Sequence, residues 1–383
     1  RAARLEGDEL LGRTCAAAAD AEAPGRPVVE FRRAGGAAFE RAAALAHDDG
    51  ERYRALVWAA AEQFDRGGWT RDARRMLLKF IEMAGDDPRL AQALLSVGPG
   101  YEREGNLAEA LGWYRRLVST LPALEEAARA RLYMADCLVA AGPEQFAAAE
   151  EVLGELLAGE FASPDAAVFR DALLRQCRLL FMQGRYGEAI GRLESFRNLY
   201  PNDPEHTDVG FVLAEVHRRS ALALRASAAT AEAPGPLLEE ATRRQRTAAD
   251  LYDRVLAELG DAPVERAAEY ARLALFNRGD CLLAVNTPDA LREALETYQQ
   301  AAVRYDHAPA ALIAQVQIAN IHLRQGRLRE AAQAVERARW LLRTIPQQAF
   351  AASGDGMDHA AWDGYLTAVA SSHLLRDALA VQP

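Results

Sequence analysis

The chain has 383 residues, 50% hydrophobic and 26% charged, with a formal net charge of −10. That acidic balance, with no dense basic block, excludes nucleic acid as the main partner, because phosphate recognition needs clustered Lys and Arg. No run of about 18 apolar residues occurs, so no membrane-spanning helix is predicted.

Lys79 is the single lysine among 45 basic residues. With the abundance of alanine, this points to a GC-rich, bacterial coding bias. The chain opens at Arg1 rather than methionine, as a processed or partial product would, so a leader is not readable. Arg4, Glu9 and Arg13 precede Cys15, which removes the apolar stretch a lipoprotein signal needs. Cys15, Cys137, Cys177 and Cys281 are scattered with no CxxC pair. They predict neither a zinc site nor a disulfide framework.

In chain order, an N-terminal helix is followed by PGRPVVEFRRAGG (24–36), which reads as a linker. Residues 1–50 are therefore expected to be N-terminal helices and linker. Helix pairs then follow. In YEREGNLAEALGWYRRLVSTLP (101–122), FMQGRYGEAIGRLESFRNLYP (181–201) and LRQGRLREAAQAVERARWLL (323–342), a Gly, a bulky residue and an Ala recur at fixed offsets. The triples are Gly105, Leu107, Ala110; Gly184, Tyr186, Ala189; and Gly326, Leu328, Ala331. A helical stripe with a small residue midway precedes each. Weaker copies over 56–80, 132–157 and 275–301 fill the gaps. The midway residues are Ala60, Gly98, Ala135, Cys177, Ala214, Gly279 and Ala319. Their spacing is about 40 residues, apart from one long step between Ala214 and Gly279. DDP (86–88), ASP (162–164), NDP (202–204), DAP (261–263) and HAP (307–309) each precede a helical stripe. Proline there suits a helix's first turn.

GPGYEREGN (98–106) has the glycine spacing of a phosphate-binding loop. Asn106 stands where that loop needs a lysine, and the residues before Gly98 have helical rather than strand spacing. Gly98 is thus read as a helix–helix contact and Gly105 as a turn. Pro99, inside the first helix, predicts a kink.

This pattern resembles the tetratricopeptide repeat, whose usual period is about 34 residues. Gly98, Gly105, Ala110 and Pro122 fall on that family's small, turn and proline positions. The resemblance implies an all-α, right-handed superhelical solenoid of about seven long helix pairs over 51–345. The irregular pair spans about 205–260, interrupted by SAATAEAPGP (227–236). Residues 346–383 would hold a linker, TIPQQAFAASGDGMD (344–358), and a capping helix over 359–380. The junctions FRNLYPNDPEH and AVRYDHAPAAL are similar to those of envelope repeat proteins, of the outer-membrane assembly lipoprotein and Tol–Pal coordinator types. Periplasm or outer membrane is the expected location, with cytoplasm left open.

The sequence holds no HExxH, no GxSxG and no complete GxGxxG, and its histidines are unpaired. A non-catalytic chain without metal or cofactor is expected. His322 occupies a core position, and Cys137 and Cys281 read as small buried fillers. Asp355 and Asp358 are too few for calcium and mark a turn.

The resemblance implies a concave surface lined by the first helix of each pair. A polar row would comprise Pro99, Asp136, Arg178, Glu215, Asp280 and Asn320. An apolar row would comprise Leu95, Leu132, Leu174, Phe211, Phe276 and Val316. Such a groove fits a protein partner, with Arg178, Phe181, Phe211, Arg218 and Asn320 as candidate contacts; burial of this face by neighbouring turns is the competing reading. The charged face over 239–255 is a second candidate. The expected function is a protein-interaction scaffold, a subunit of a bacterial multiprotein assembly. Two alternatives stay open: a ligand-sensing repeat array, and an α/α-toroid enzyme with Asp136 and Asp280 as acids.

Overall fold

The computed structural model describes residues 1–22, 24–260, 265–352 and 357–372, together with Leu375. The described residues are helical, with no strand among them. The chain divides into two compact units, Arg1–Leu179 and Leu180–Pro383.

The first unit contains α1 (Ala2–Ala21), α2 (Arg26–Leu45), α3 (Gly50–Arg66), α4 (Thr70–Met83), α5 (Leu90–Arg103), α6 (Leu107–Thr120), α7 (Glu125–Ala141), α8 (Phe146–Leu157) and most of α9 (Ala167–Met182). From α1 to α8 each helix packs on its neighbour in sequence, and α5 also touches α7. One apolar core runs through these layers, from Leu5 and Phe39 past Phe80 and Tyr114 to Leu156. Each pair thus buries its apolar stripe only against the next pair, the logic of a repeat array.

Residues 26–36 are helical, where the sequence suggested a linker. Pro27 sits in the first turn of α2, where its missing N–H costs nothing. The glycines further on are contacts rather than breaks. A Cβ at Gly36 would lie 2.8 Å from the Phe64 ring, and one at Gly12 would lie 2.7 Å from Phe39. The pair α1–α2 therefore precedes the seven expected pairs as an eighth.

The second unit contains the end of α9, then α10 (Tyr186–Leu199), α11 (His206–Ala228), α12 (Pro234–Leu259), α13 (Glu265–Val285), α14 (Pro288–Arg304), α15 (Ala310–Arg324), α16 (Leu328–Thr344), α17 (Gln347–Ala352) and α18 (His359–Ala370). The irregular pair is α11–α12, two of the longest helices. At the end, Phe350, Trp362 and Leu366 pack with Leu341, Leu342 and Ile345, so α18 covers α16. The short α17 lies within the stretch expected as a linker. The DAP junction at 261–263, Asp355 and the expected helical residues 376–380 lie outside the described residues.

Four hairpins share one turn. Gly68, Gly105, Gly184 and Gly326 have φ of 77°, 76°, 72° and 71°. The next residue's N–H then reaches back to a helix carbonyl: Trp69 to Phe64, Asn106 to Tyr101, Arg185 to Leu180 and Arg327 to His322, at 2.8–2.9 Å. This is the αL helix ending that glycine adopts without Cβ strain. Behind it, the midway residues Ala60, Ala135, Cys177, Ala214 and Ala319 are all buried. Helix α5 runs unbroken from Leu90 to Arg103 through Pro99.

Candidate functional site

Three helix pairs are bolted by a tyrosine in the second helix. Tyr114, Tyr252 and Tyr298 are fully buried. Each hydroxyl donates to a carboxylate of the preceding helix: Tyr114 to Glu102, Tyr252 to Glu215 at 2.9 Å, and Tyr298 to Asp280. Burial, reinforced by the adjacent carboxylate, holds all three phenols well above their usual range, so they remain donors. In each case the tyrosine lies four residues after a buried alanine: Ala110, Ala248 or Ala294.

In the second unit these bolts fix Glu215 and Asp280 of the polar row. Glu215 on α11 accepts from Arg218 at 2.8 Å through both its oxygens and from Arg219 at 2.7 Å. Burial pushes the Glu215 carboxyl up, but the hydrogen bonds from Arg218 and Arg219 outweigh it, and the net direction is down. Glu215 is thus a committed anion, and Arg218 is a pinned, half-buried cation. Asn277 on α13 donates to the Tyr252 hydroxyl at 3.3 Å, joining α13 to the same network. Farther along, Asn320 donates to Gln317 at 3.2 Å and accepts from Arg324 at 3.4 Å. Arg324 also donates to the Leu283 carbonyl and to Asn286, while Arg225 donates to the Ala284 carbonyl. Two arginines therefore close the C-terminal end of α13.

The five residues expected to contact a partner are distributed as follows. Arg178 is exposed and belongs to the first unit; Phe181, Phe211, Arg218 and Asn320 belong to the second. Phe181 is half-buried, its ring edge-on to Tyr186. Phe211 is also half-buried, with ring centroids 5.6 Å from Tyr252 and 4.9 Å from Tyr270. Phe211 and Arg218 lie two turns apart on α11; Phe211 packs on Tyr252 and Arg218 donates to Glu215, the two members of one hydrogen-bonded pair.

The apolar row divides. Leu95 and Leu132 are core residues at 3% and 4% exposure, so they do not line a groove. Both belong to the apolar core that runs through the layers of the first unit. Leu174, Phe211, Phe276 and Val316 remain half-buried. Asp136 is paired with Arg175 at 2.9 Å in the first unit, whereas Asp280 accepts from Tyr298 in the second. Most charges over 239–255 pair along their own helix: Glu240 with Arg243 and Arg244 at 2.6 Å, and Arg246 with Asp250.

Cys137 and Cys281 are buried free thiols, both pushed up to about 12 by burial. His322 is buried as a core residue. Asp358 caps α18 by accepting from the Ala361 N–H at 2.8 Å. Among the described residues, no group of three or more His, Cys, Asp or Glu side chains is placed to hold a metal ion. Nor is any helix among them long and apolar enough to cross a membrane.

One feature of the first unit escaped the sequence reading. A cleft of about 240 Å³ is lined by Trp58, Ala61, Glu62 and Asp65 of α3, Leu77 of α4, and Gln92 and Ser96 of α5. The α3 residues recur at helical spacing, but that stripe is indistinguishable in sequence from an ordinary solvated face.

No protein-family model matches the chain, and no curated protein does. Solved structures do. A tetratricopeptide repeat protein from Parabacteroides merdae is 13% identical, over 85% of this chain and 98% of that one, with a TM-score of 0.42. BtubC (BKLC) from P. vanneervenii is 16% identical, over 62% and 94%, with a TM-score of 0.42. The apo form of the quorum sensor NprR from B. thuringiensis is 12% identical, over 86% and 92%, with a TM-score of 0.39.

Proposed function

We propose that the chain is a non-catalytic protein-interaction scaffold, a subunit of a bacterial multiprotein assembly, that binds protein partners on the first-helix faces of its repeats. The observation that carries this reading is the Arg218–Glu215–Tyr252 network. A buried tyrosine fixes a carboxylate, the carboxylate fixes a half-buried arginine, and the half-buried Phe211 packs edge-on against the same tyrosine. Arginine and aromatic side chains are enriched among binding hot spots, and a preorganised arginine loses little freedom on binding. The ionisable groups of this face serve the packing of helix pairs, and what the pairs present outward is a rigid surface. Arg178, Phe181 and Asn320 are further proposed contacts. A location at the cell envelope belongs to the same proposal, supported by the likeness of the inter-repeat junctions.

The test is affinity capture from the native bacterium with chemical cross-linking and mass spectrometry, using the wild type, Arg178→Ala and Arg218→Ala. Arg178→Ala, at an exposed position, should lose a partner at unchanged Tm, whereas Arg218→Ala, which also removes hydrogen bonds to Glu215, should lose one with a lowered Tm. An identical set of cross-linked partners for all three overturns the assignment of the face. Fractionation of the native cells tests the envelope location.

A further inference from the structure

We infer that the cleft between α3 and α5 is a subsite for an arginine side chain of a protein partner. The inference rests on the scaffold reading and names the chemistry of one partner group. The cleft has an apolar part, with Leu77 and Ala61 buried and the half-buried Trp58 beside them. Its lining also carries Glu62 and the exposed Asp65, one turn apart on α3, and Gln92 and Ser96 of α5, where Gln92 donates to Ser96 at 3.0 Å. The lining thus holds two carboxylates and no cation.

Two neighbouring cations are already paired. Arg66 pairs with Glu62 at 2.9 Å and approaches Asp20 at 3.6 Å. Arg89 is held by both oxygens of Asp87, at 2.9 Å and 2.7 Å. Asp65 is exposed and has no ion pair among the described residues. An incoming cation therefore meets one uncommitted carboxylate and one that already accepts from an arginine.

Arginine fits better than lysine. Its stem lies along apolar wall while its planar guanidinium offers paired donors to carboxylates and stacks on aromatic faces. The Trp58 ring already takes part in one such contact within the chain: the Arg89 guanidinium stands 5.6 Å from its centroid and 5.2 Å from that of Phe80. A volume of about 240 Å³ accommodates one long side chain rather than a folded segment. The remaining residues of the partner would run across the first-helix face.

The experiment is a titration of the full chain, labelled with nitrogen-15 at tryptophan, with a blocked peptide of sequence Gly-Ser-Arg-Ser-Gly and with its citrulline counterpart. Citrulline keeps the shape and removes the charge. The Trp58 indole signal is assigned with Trp58→Phe. The arginine peptide should shift that signal saturably, with affinity on the order of tenfold above citrulline, because charge-assisted bonds are about twice as strong as neutral ones. Asp65→Asn, at an exposed position, should abolish the difference, and Asp65→Glu should restore much of it. Absence of a Trp58 shift, or equal shifts with both peptides, overturns the subsite. So does an unchanged arginine preference in Asp65→Asn. The capture experiment above reads residues of other helices, so either result can fail while the other stands.

Discussion

Tyr114 occupies the space that any side chain at position 98 would need. A Cβ built on Gly98 would lie 2.1 Å from Cζ of Tyr114, a ring with no exposed surface. Gly98→Ala must therefore drive a buried ring out of its seat, at a cost of about 1–3 kcal/mol or more. Gly112, on the exposed side of α6, has nothing within 4 Å of its Cβ position. Gly112→Ala should stabilise the chain by about 0.5–1 kcal/mol, since glycine loses more freedom in a helix. Urea unfolding of the two variants should give midpoint shifts of opposite sign.

The tyrosine bolts predict a second pair of effects. Tyr252→Phe removes the donor to Glu215 and the acceptor of Asn277 while leaving the ring in place. A loss of about 1.5–3 kcal/mol is expected, the range for a hydrogen bond to a charged group. Tyr133, only half-buried and tilted against Tyr114, is the control, and Tyr133→Phe should change little. Denaturant melts monitored by circular dichroism distinguish the two.

His217 makes stability depend on pH. Burial, with Arg244 and Arg243 nearby and Glu240 only partly opposing, holds its imidazole down at about 4. The unfolded chain binds the proton first as pH falls, so its contribution is fully present above about pH 6.5. It is lost progressively between about 6.5 and 4. The loss amounts to roughly 3 kcal/mol at most, from about 1.4 kcal/mol per pH unit. His217→Leu should flatten that part of the curve, measured as unfolding midpoints between pH 7.5 and 4.5 against wild type. Equal slopes for both would show that His217 is not the group responsible.

Arg324 caps α13 from the neighbouring first helix, reaching the Leu283 carbonyl at 3.0 Å and Asn286 at 3.2 Å. A cation at a helix C-terminus contributes about 0.3–1 kcal/mol, and more when partly buried. Arg324→Ala should lower stability by about 1 kcal/mol, and Arg324→Gln, which keeps a donor, by less. Hydrogen exchange should place the added opening in the last turn of α13.

Cys137 and Cys281 should resist thiol reagents in the folded chain. Both are buried, with thiols held up to about 12 by burial, so little thiolate exists at neutral pH. Labelling with a disulfide reagent should be slow in buffer and fast in denaturant. Rapid native labelling of either residue, located by mass spectrometry, would contradict its placement in the core.

What the sequence determined by itself was set by local backbone geometry and the tightest packing points. Gly105, Gly184 and Gly326 were readable as turns because a positive φ leaves few choices of residue. Gly98 and Ala110 were readable as contacts because two helices approach closely only over small side chains. The same cue misled at residues 26–36. There Gly35 and Gly36 serve helix contacts rather than a linker, and only the Cys15 and Phe64 packed against them decide it. The tertiary structure also decided what each face meets. Leu95 and Phe211 hold equivalent repeat positions, yet one is core and the other half-buried beside two tyrosines. The division at Leu179 and Leu180 falls inside the continuous helix α9, where no change of composition marks it. The cleft beside Trp58 joins residues of three helices. Periodicity reports the face of a helix, but the burial of that face depends on neighbours some thirty or more residues away in a repeat of this kind.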